Sequence, residues 1–465
     1  MVGATETHAG VNSRRSALFY VVGSLLQGLG ILIIQPFAVR VLSAEQWGLV
    51  STSVVTIQVI VVLLSSGLPL EITRMWFEAG HGEQRSLALH TILLLGTLVV
   101  GVVAAAVLLL FNGTAAATLP LVFAVTSIGL TGSILGAQAV LRAQGRPLPF
   151  VALSIGSSVV ANCAGFLAVV WWGASASLYM MAYAVAVALT AMVALVLVHP
   201  VSIGSVQGIG SHAARIALPL LPHTGALMLL TQGAVWLLAL AASVSDAGRY
   251  GAVLIFALGP ITILNALNNA WMTDMMGALD GSRDLIQRST ARTAIAIALI
   301  VGVAASGVGL FGSFVLTTAP DQLGPIARTL PLLSVGYALF LVSSNQLYID
   351  RRTRVLGIVS PATMLLALAA SLGFALNGAL ESVAVVNTLA FILLGVSSTV
   401  VAFGRKSLVL VKSSLLLAAL HGTIIFVLAL VPSTLFASLV ESACCIIGAG
   451  GAGVYWMRHG SKKYA

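Results

Sequence analysis

Apolar residues run through this chain in blocks of spanning length, broken by short polar joints. About 20 apolar residues at 1.5 Å rise match the hydrocarbon thickness of a bilayer, so each block predicts a membrane-crossing helix. The blocks fall at 16–42, 48–70, 87–111, 119–140, 150–172, 177–198, 216–242, 251–275, 294–318, 326–349, 355–376, 381–403, 408–431 and 435–457, which makes fourteen helices. The joints carry helix breakers, as at Ser43-Ala44-Glu45, Asn112-Gly113-Thr114, Trp172-Gly173-Ala174, Ala319-Pro320-Asp321 and Val431-Pro432-Ser433. No joint exceeds about 20 residues, too short for a folded module outside the membrane.

Composition agrees with this pattern and removes the soluble classes. Of 465 residues, 59% are hydrophobic and 8% charged, against about 25% charged in an ordinary soluble domain. The apolar run after Arg14-Arg15 is far longer than the core of a cleavable signal, so the first helix is expected to be retained. Cys163, Cys444 and Cys445 all lie in apolar stretches and imply no disulfide framework. An excess of 22 Lys and Arg over 13 Asp and Glu would suggest nucleic acid in a soluble protein; in a membrane chain it marks cytoplasmic loops. With both termini in the cytoplasm, only Arg40, Arg249 and Arg328 of the 22 basic residues lie outside. Adding or removing one helix destroys that alternation.

The chain also echoes itself. Ala44-Glu45-Gln46-Trp47-Gly48 resembles Ala247-Gly248-Arg249-Tyr250-Gly251, and Gln84-Arg85-Ser86 recurs as Gln287-Arg288-Ser289, both at an offset of 203 residues. Glu71 falls on Asp274 in the same register. An even number of helices separates the copies, so they share orientation. The expected architecture is an all-α polytopic membrane protein of two six-helix halves, 1–203 and 204–403, followed by two additional helices and a cytoplasmic tail over 404–465.

Polar side chains within the blocks are the candidate chemistry, because they are costly in hydrocarbon and turn toward bundle interiors or wet cavities. On helix 1, Tyr20, Ser24, Gln27, Ile31 and Gln35 share one face, followed by Pro36 and Arg40. Helix 8 carries Thr262, Asn265, Asn268, Asn269 and Met272 at similar spacing after Pro260. Helix 4 offers Ser127, Thr131 and Gln138, and helix 10 offers Ser334, Tyr337, Asn345 and Tyr348. Two readings stand: such groups tie helices together, or they line a transport cavity where repeats meet.

The charges carry the same pair of readings. Arg40, Arg74 and Arg328 sit at helix ends, where a guanidinium either snorkels to headgroups or clamps a diphosphate through paired hydrogen bonds. His223, after the broken start Pro219-Leu220-Leu221-Pro222, is either structural or a proton carrier. Glu71 and Asp274 are either interfacial or sites for a coupling cation. The chain has no phosphate loop, no His-Glu-x-x-His and no Cys-x-x-Cys pair, so neither ATP hydrolysis nor a cofactor is expected. Gly448 to Gly453 lies inside the last apolar block, where small residues let helices pack closely.

Two stretches carry a family resemblance. Gly23-Ser24-Leu25-Leu26-Gln27-Gly28 leading to Pro36 and on through Arg40-Val41-Leu42-Ser43-Ala44-Glu45-Gln46-Trp47-Gly48 resembles the first helix and turn of Wzx-type polysaccharide flippases, of the multidrug/oligosaccharidyl-lipid/polysaccharide superfamily. Leu68-Pro69, Arg74 and Glu78-Ala79-Gly80 resemble the end of helix 2 in the related lipid II flippases. The resemblance implies a non-enzymatic transporter of the bacterial cytoplasmic membrane. Its cargo would be a glycan on undecaprenyl diphosphate, and its neighbours membrane lipids, a polysaccharide polymerase and glycosyltransferases, with no nucleic acid. It places Arg74, with Arg40, at the diphosphate. Helix 1 lacks an arginine in its middle, where lipid II flippases hold cationic cavity residues, and this favours another lipid-linked glycan as cargo. The competing readings are a cation-coupled multidrug antiporter, weakened by the few acids deep in the blocks, and a non-transporting scaffold of a glycan assembly complex.

Overall fold

The computed structural model describes residues 5–277, 280–316, 320–350, 352–404, 407–430 and 434–460. Some helix side chains, including those of Asn269 and Asp274, also lie outside the described residues. The principal elements are α1 (Thr5–Val41), α2 (Ala44–Ser65), α3 (Leu68–Trp76), α4 (Gly82–Asn112), α5 (Leu119–Ala143), α6 (Pro147–Ile155), α7 (Ala161–Trp172), α8 (Ala176–Leu197) and α9 (Ile209–Ala241). They continue with α10 (Val244–Gly277), α11 (Asp280–Leu316), α12 (Pro320–Thr329), α13 (Leu333–Ile349), α14 (Leu356–Leu376), α15 (Leu380–Phe403), α16 (Ser407–Ala429) and α17 (Leu435–Gly460). Among the described residues, fourteen helical stretches are long and apolar enough to cross a membrane, each overlapping one of the blocks read from the sequence.

Local chemistry explains where the helices break. Ser43 caps α2 by accepting a hydrogen bond from the Gln46 amide at 3.2 Å. The second block splits because the Ser66 hydroxyl donates to the carbonyl of Leu63 at 2.8 Å, closing α2, and Gly67 takes a left-handed φ of 74°. Pro69 then starts α3 as a separate short helix carrying Glu71 and Arg74. A π-helical segment, Gly156–Val160, interrupts the fifth block, and a 3₁₀ turn, Leu330–Leu332, separates α12 from α13.

The chain forms two compact units, Met1–Gly225 and Ala226–Ala465. The division between these compact units falls inside α9. The first turns of α9 belong to the N-terminal unit because they are tied to it. Thr224 and Ser66 share a hydrogen bond of 2.8 Å, and a Cβ on Gly67 would come within 2.6 Å of Leu220.

Each unit is held by close helix contacts over small residues, the usual way to gain dispersion energy where lipid is as apolar as the interior. In the N-terminal unit, Gly129, Gly132 and Gly136 of α5 receive Leu98, Thr97 and His90 of α4; a Cβ on Gly129 would lie 2.7 Å from the Leu98 Cα. In the C-terminal unit Gly336 of α13 and Gly395 of α15 meet backbone to backbone. Gly307 of α11 makes room for Cys445 of α17. Outward faces are apolar, such as Val99, Val102, Val103 and Phe111 on α4, and Trp171 and Trp172 stand exposed at the end of α7.

Candidate functional site

In the N-terminal unit the stripe on α1 turns toward helices of its own unit. The Gln27 amide meets that of Gln138 on α5, with nitrogen-to-oxygen distances of 3.5 and 3.4 Å, and Gln138 donates to Ser154 of α6 at 2.9 Å. The Ser158 hydroxyl donates to the Gln27 carbonyl at 2.8 Å. That contact exists because Gly30 leaves no side chain in the way of Ser158 and because the π segment re-aims α6. Gln138 is buried, Gln35 is buried farther along α1, and Gln27 is half-buried. Arg40 is exposed at the end of α1, and His223 is buried in α9.

Gln138 therefore joins three helices through one side chain. Replacing it with leucine leaves the Gln27 amide and Ser154 hydroxyl without that partner and is expected to cost about 1–2 kcal/mol. Thermal unfolding in detergent should show a lower midpoint for Gln138→Leu, and an unchanged midpoint contradicts the joint.

A charge network occupies α3 and its neighbours. Arg74 binds Glu71 with both edges of the carboxylate, Nε to Oε2 at 2.8 Å and Nη2 to Oε1 at 2.7 Å. Its Nη2 also lies 3.3 Å from Glu78, which Arg85 of α4 approaches to 2.8 Å. His212, in the first turn of α9, places Nε2 2.8 Å from Glu71 Oε1. Hydrogen bonds from Arg74 hold the Glu71 carboxyl below its usual range, with burial opposing and His212 reinforcing. The same bonds raise Arg74. Glu71 is buried while the Arg74 side chain stays 60% exposed; Nε and Nη2 are turned toward Glu71 and Glu78, which leaves Nη1 as the nitrogen for an outside anion.

The depressed carboxyl has a pH signature. A group whose pKa is lower folded than unfolded contributes stability fully above the unfolded value, and loses it as pH falls through the folded one. Wild-type unfolding temperature should thus fall more steeply than that of Glu71→Gln below about pH 4.3. Parallel curves through the acid range would contradict it.

In the C-terminal unit, two polar rungs join α10 to α13. The Tyr337 hydroxyl donates to Asn265 Oδ1 at 2.8 Å, and Asn345 Nδ2 donates to Asn268 Oδ1 at 2.7 Å. Tyr337 and Asn345 are buried, Asn268 is half-buried and Asn265 is exposed. The rungs thus run from a packed seam to an accessible face of α10. Asn269 and Asp274 follow on the same helix, outside the described residues. Asn387 of α15, not anticipated from the sequence, reaches the Tyr250 hydroxyl at 3.4 Å; its signal would have been the one amide side chain in that span. Among the described residues, no group of three or more His, Cys, Asp or Glu is placed to hold a metal ion.

A family model described as polysaccharide biosynthesis protein matches residues 13–271, more than half of the chain. The chain belongs to the polysaccharide biosynthesis protein family. A comparison with curated proteins by sequence gives no match. Among solved structures, the fold of this family member is similar to that of the lipid II flippase MurJ in its inward closed conformation. That pair has a TM-score of 0.62 at 12% identity over 97% of this chain and 98% of the other. It is similar also to a multidrug resistance MATE family transporter of the MOP superfamily. The outward-facing form has a TM-score of 0.57 at 13% identity over 88% and 96% of the two chains, and the inward-facing form 0.53 at 12% over 84% and 96%. The protein is a multi-pass membrane protein of the polysaccharide biosynthesis family whose fold is similar to that of these two transporters.

Proposed function

We propose that this protein is a flippase that moves an oligosaccharide linked to undecaprenyl diphosphate from the cytoplasmic to the outer leaflet of a bacterial cytoplasmic membrane, by alternating access. The observation that carries the reading is the exposed, carboxylate-anchored guanidinium of Arg74 in a chain of this family. A guanidinium held by Glu71 and Glu78 through Nε and Nη2 stays oriented while Nη1 is left to meet an anion, which lowers the ordering cost of binding a diphosphate. The amides of Gln27, Asn265, Asn268 and Asn269 offer both donors and acceptors, which suits sugar hydroxyls, and the buried Gln138 and Asn345 hold Gln27 and Asn268 in place behind them.

The physical task is to lower a desolvation barrier. A diphosphate and its sugars cross hydrocarbon only if protein groups replace their water, and no covalent bond need form or break. The cytoplasmic orientation of Arg74, the repeat boundary at 203 and any coupling through Glu71, Asp274 or His223 belong to this proposal. Net direction requires an ion gradient or removal of product, because binding alone shifts no transmembrane equilibrium.

Reconstitution tests the reading. Proteoliposomes holding a fluorescent undecaprenyl-diphosphate oligosaccharide should lose the outer-leaflet-specific signal faster than protein-free vesicles. Extrusion of cationic drugs with no lipid movement would replace the proposal with a multidrug antiporter, and inactivity in both assays would favour a scaffold.

A further inference from the structure

Arg142, which the sequence pattern shows only as one more basic residue in a loop, sits on a seat built by three helices. It closes α5, and the tight joint through Gly145, with φ of 66°, returns the chain into α6. Phe150 of α6 thereby comes under the guanidinium, whose carbon lies 5.3 Å from the ring centroid. The ring is fully buried and packs edge to face on Tyr20 of α1, at 5.2 Å and 80°. Gly23, one turn along α1, permits that approach, since a Cβ there would come within 2.9 Å of the ring. The Tyr20 hydroxyl closes the seat by donating to the Leu141 carbonyl at 3.5 Å.

Charge pairing sets this arginine apart from Arg74 and Arg85. Arg74 and Arg85 are each paired with carboxylates, whereas among the described residues no carboxylate lies within ion-pair distance of Arg142. Its residue is exposed although the ring beneath it is buried. A guanidinium held over an aromatic face by the ring's quadrupole keeps its N–H donors, the groups that meet phosphate oxygens in pairs. One helical turn along from this seat, the same helices carry the amide layer: Gln138 follows from Arg142 on α5, Ser154 from Phe150 on α6, and Gln27 stands two turns from Tyr20 on α1.

We propose that Arg142, seated on Phe150, is a phosphate-binding residue of the N-terminal unit, receiving the diphosphate of an isoprenyl-linked cargo above the Gln27, Gln138 and Ser154 layer. The cargo class rests on the flippase reading, and the phosphate site itself does not. A guanidinium so placed can meet phosphate from the cargo or from a phospholipid headgroup, and the chemistry commits to a phosphoryl group in either case. Phe150 acts through Arg142 as a positioning residue.

Binding is measured on the purified full chain in detergent with geranylgeranyl diphosphate, with geranylgeraniol to report the tail alone and with dioleoyl phosphatidylglycerol to report a phospholipid headgroup. Arg142→Gln should weaken geranylgeranyl diphosphate about ten-fold or more, Arg142→Lys several-fold less, and Arg146→Gln, which removes one charge from the same joint, under two-fold. Geranylgeraniol affinity should be the same in all four proteins. Phe150→Leu should reproduce the lysine variant; if it fails to fold, the lysine variant carries the comparison. Equal losses in the Arg142→Gln and Arg146→Gln proteins would overturn the site, leaving only long-range charge. Loss of phosphatidylglycerol binding with diphosphate binding intact would overturn the cargo role in favour of a lipid contact. Diphosphate binding that depends on Arg142 in a protein that flips no lipid-linked glycan would sink the flippase reading and leave this site standing.

Discussion

Arg74→Ala should lower the rate of lipid-linked glycan flipping about ten- to a hundred-fold, the worth of one charge-assisted contact to a diphosphate. The substitution also strips Glu71 of its two hydrogen bonds from Arg74, leaving a buried carboxylate that retains only His212. Loss of activity through misfolding must therefore be separated from loss of the anion contact. The paired variant Glu71→Gln with Arg74→Gln does this, because two amides can hydrogen-bond to each other without a net buried charge. It should unfold near the wild-type temperature and still flip as slowly as Arg74→Ala. Glu71→Gln alone should keep most activity, since the guanidinium remains and loses only its orienting partner. If the paired variant flips at the wild-type rate, Arg74 is a structural partner of Glu71 and not a cargo contact.

The second large effect is expected where α10 meets α13. Asn268→Leu should reduce flipping about ten-fold, because it removes an amide from the accessible side of the rung and leaves Asn345 buried without its acceptor. Asn345→Leu, which removes the buried donor, should slow flipping less while costing comparable stability. A double-mutant cycle over the two asparagines should report coupling of about 0.6–1.7 kcal/mol, the range for hydrogen bonds between membrane helices. Matching losses of stability with no loss of flipping would assign the rung to packing alone.

How much of this was readable in the sequence depended on how far apart the partners lie. The spans were legible because hydrocarbon demands unbroken apolar length, and the family because Leu68-Pro69, Arg74 and the α1 turn are local strings. Glu71 with Arg74 is also local, a three-residue spacing on one helical turn. The partners of Glu71 and Gln27 from other helices were not readable: His212 is 141 residues from Glu71, and Gln138 is 111 from Gln27. The stripe on α1 fixed which side chains share a face but not what that face meets, and in the fold Gln27 meets Gln138 of α5 and Ser158 of the π segment. The π segment at Gly156–Val160 has no local signature either, since it depends on Thr190 packing against Gly156 and on Ser158 reaching α1. The seat of Arg142 needed Tyr20 and Gly23 of α1 together with Phe150 of α6, so composition showed only its charge.

The central claim is that the amide face of α10 is wet and meets the cargo. A single cysteine at Asn265, in a protein whose three native cysteines are replaced, tests it by reaction with a charged, membrane-impermeant maleimide, beside a matching cysteine at Val103 on the exposed apolar face of α4. The account predicts that position 265 reacts at least ten times faster than position 103 and is protected by the lipid-linked oligosaccharide. Equal, slow labelling at both positions, with both reacting readily only with a membrane-soluble maleimide, would place Asn265 against acyl chains and contradict the account.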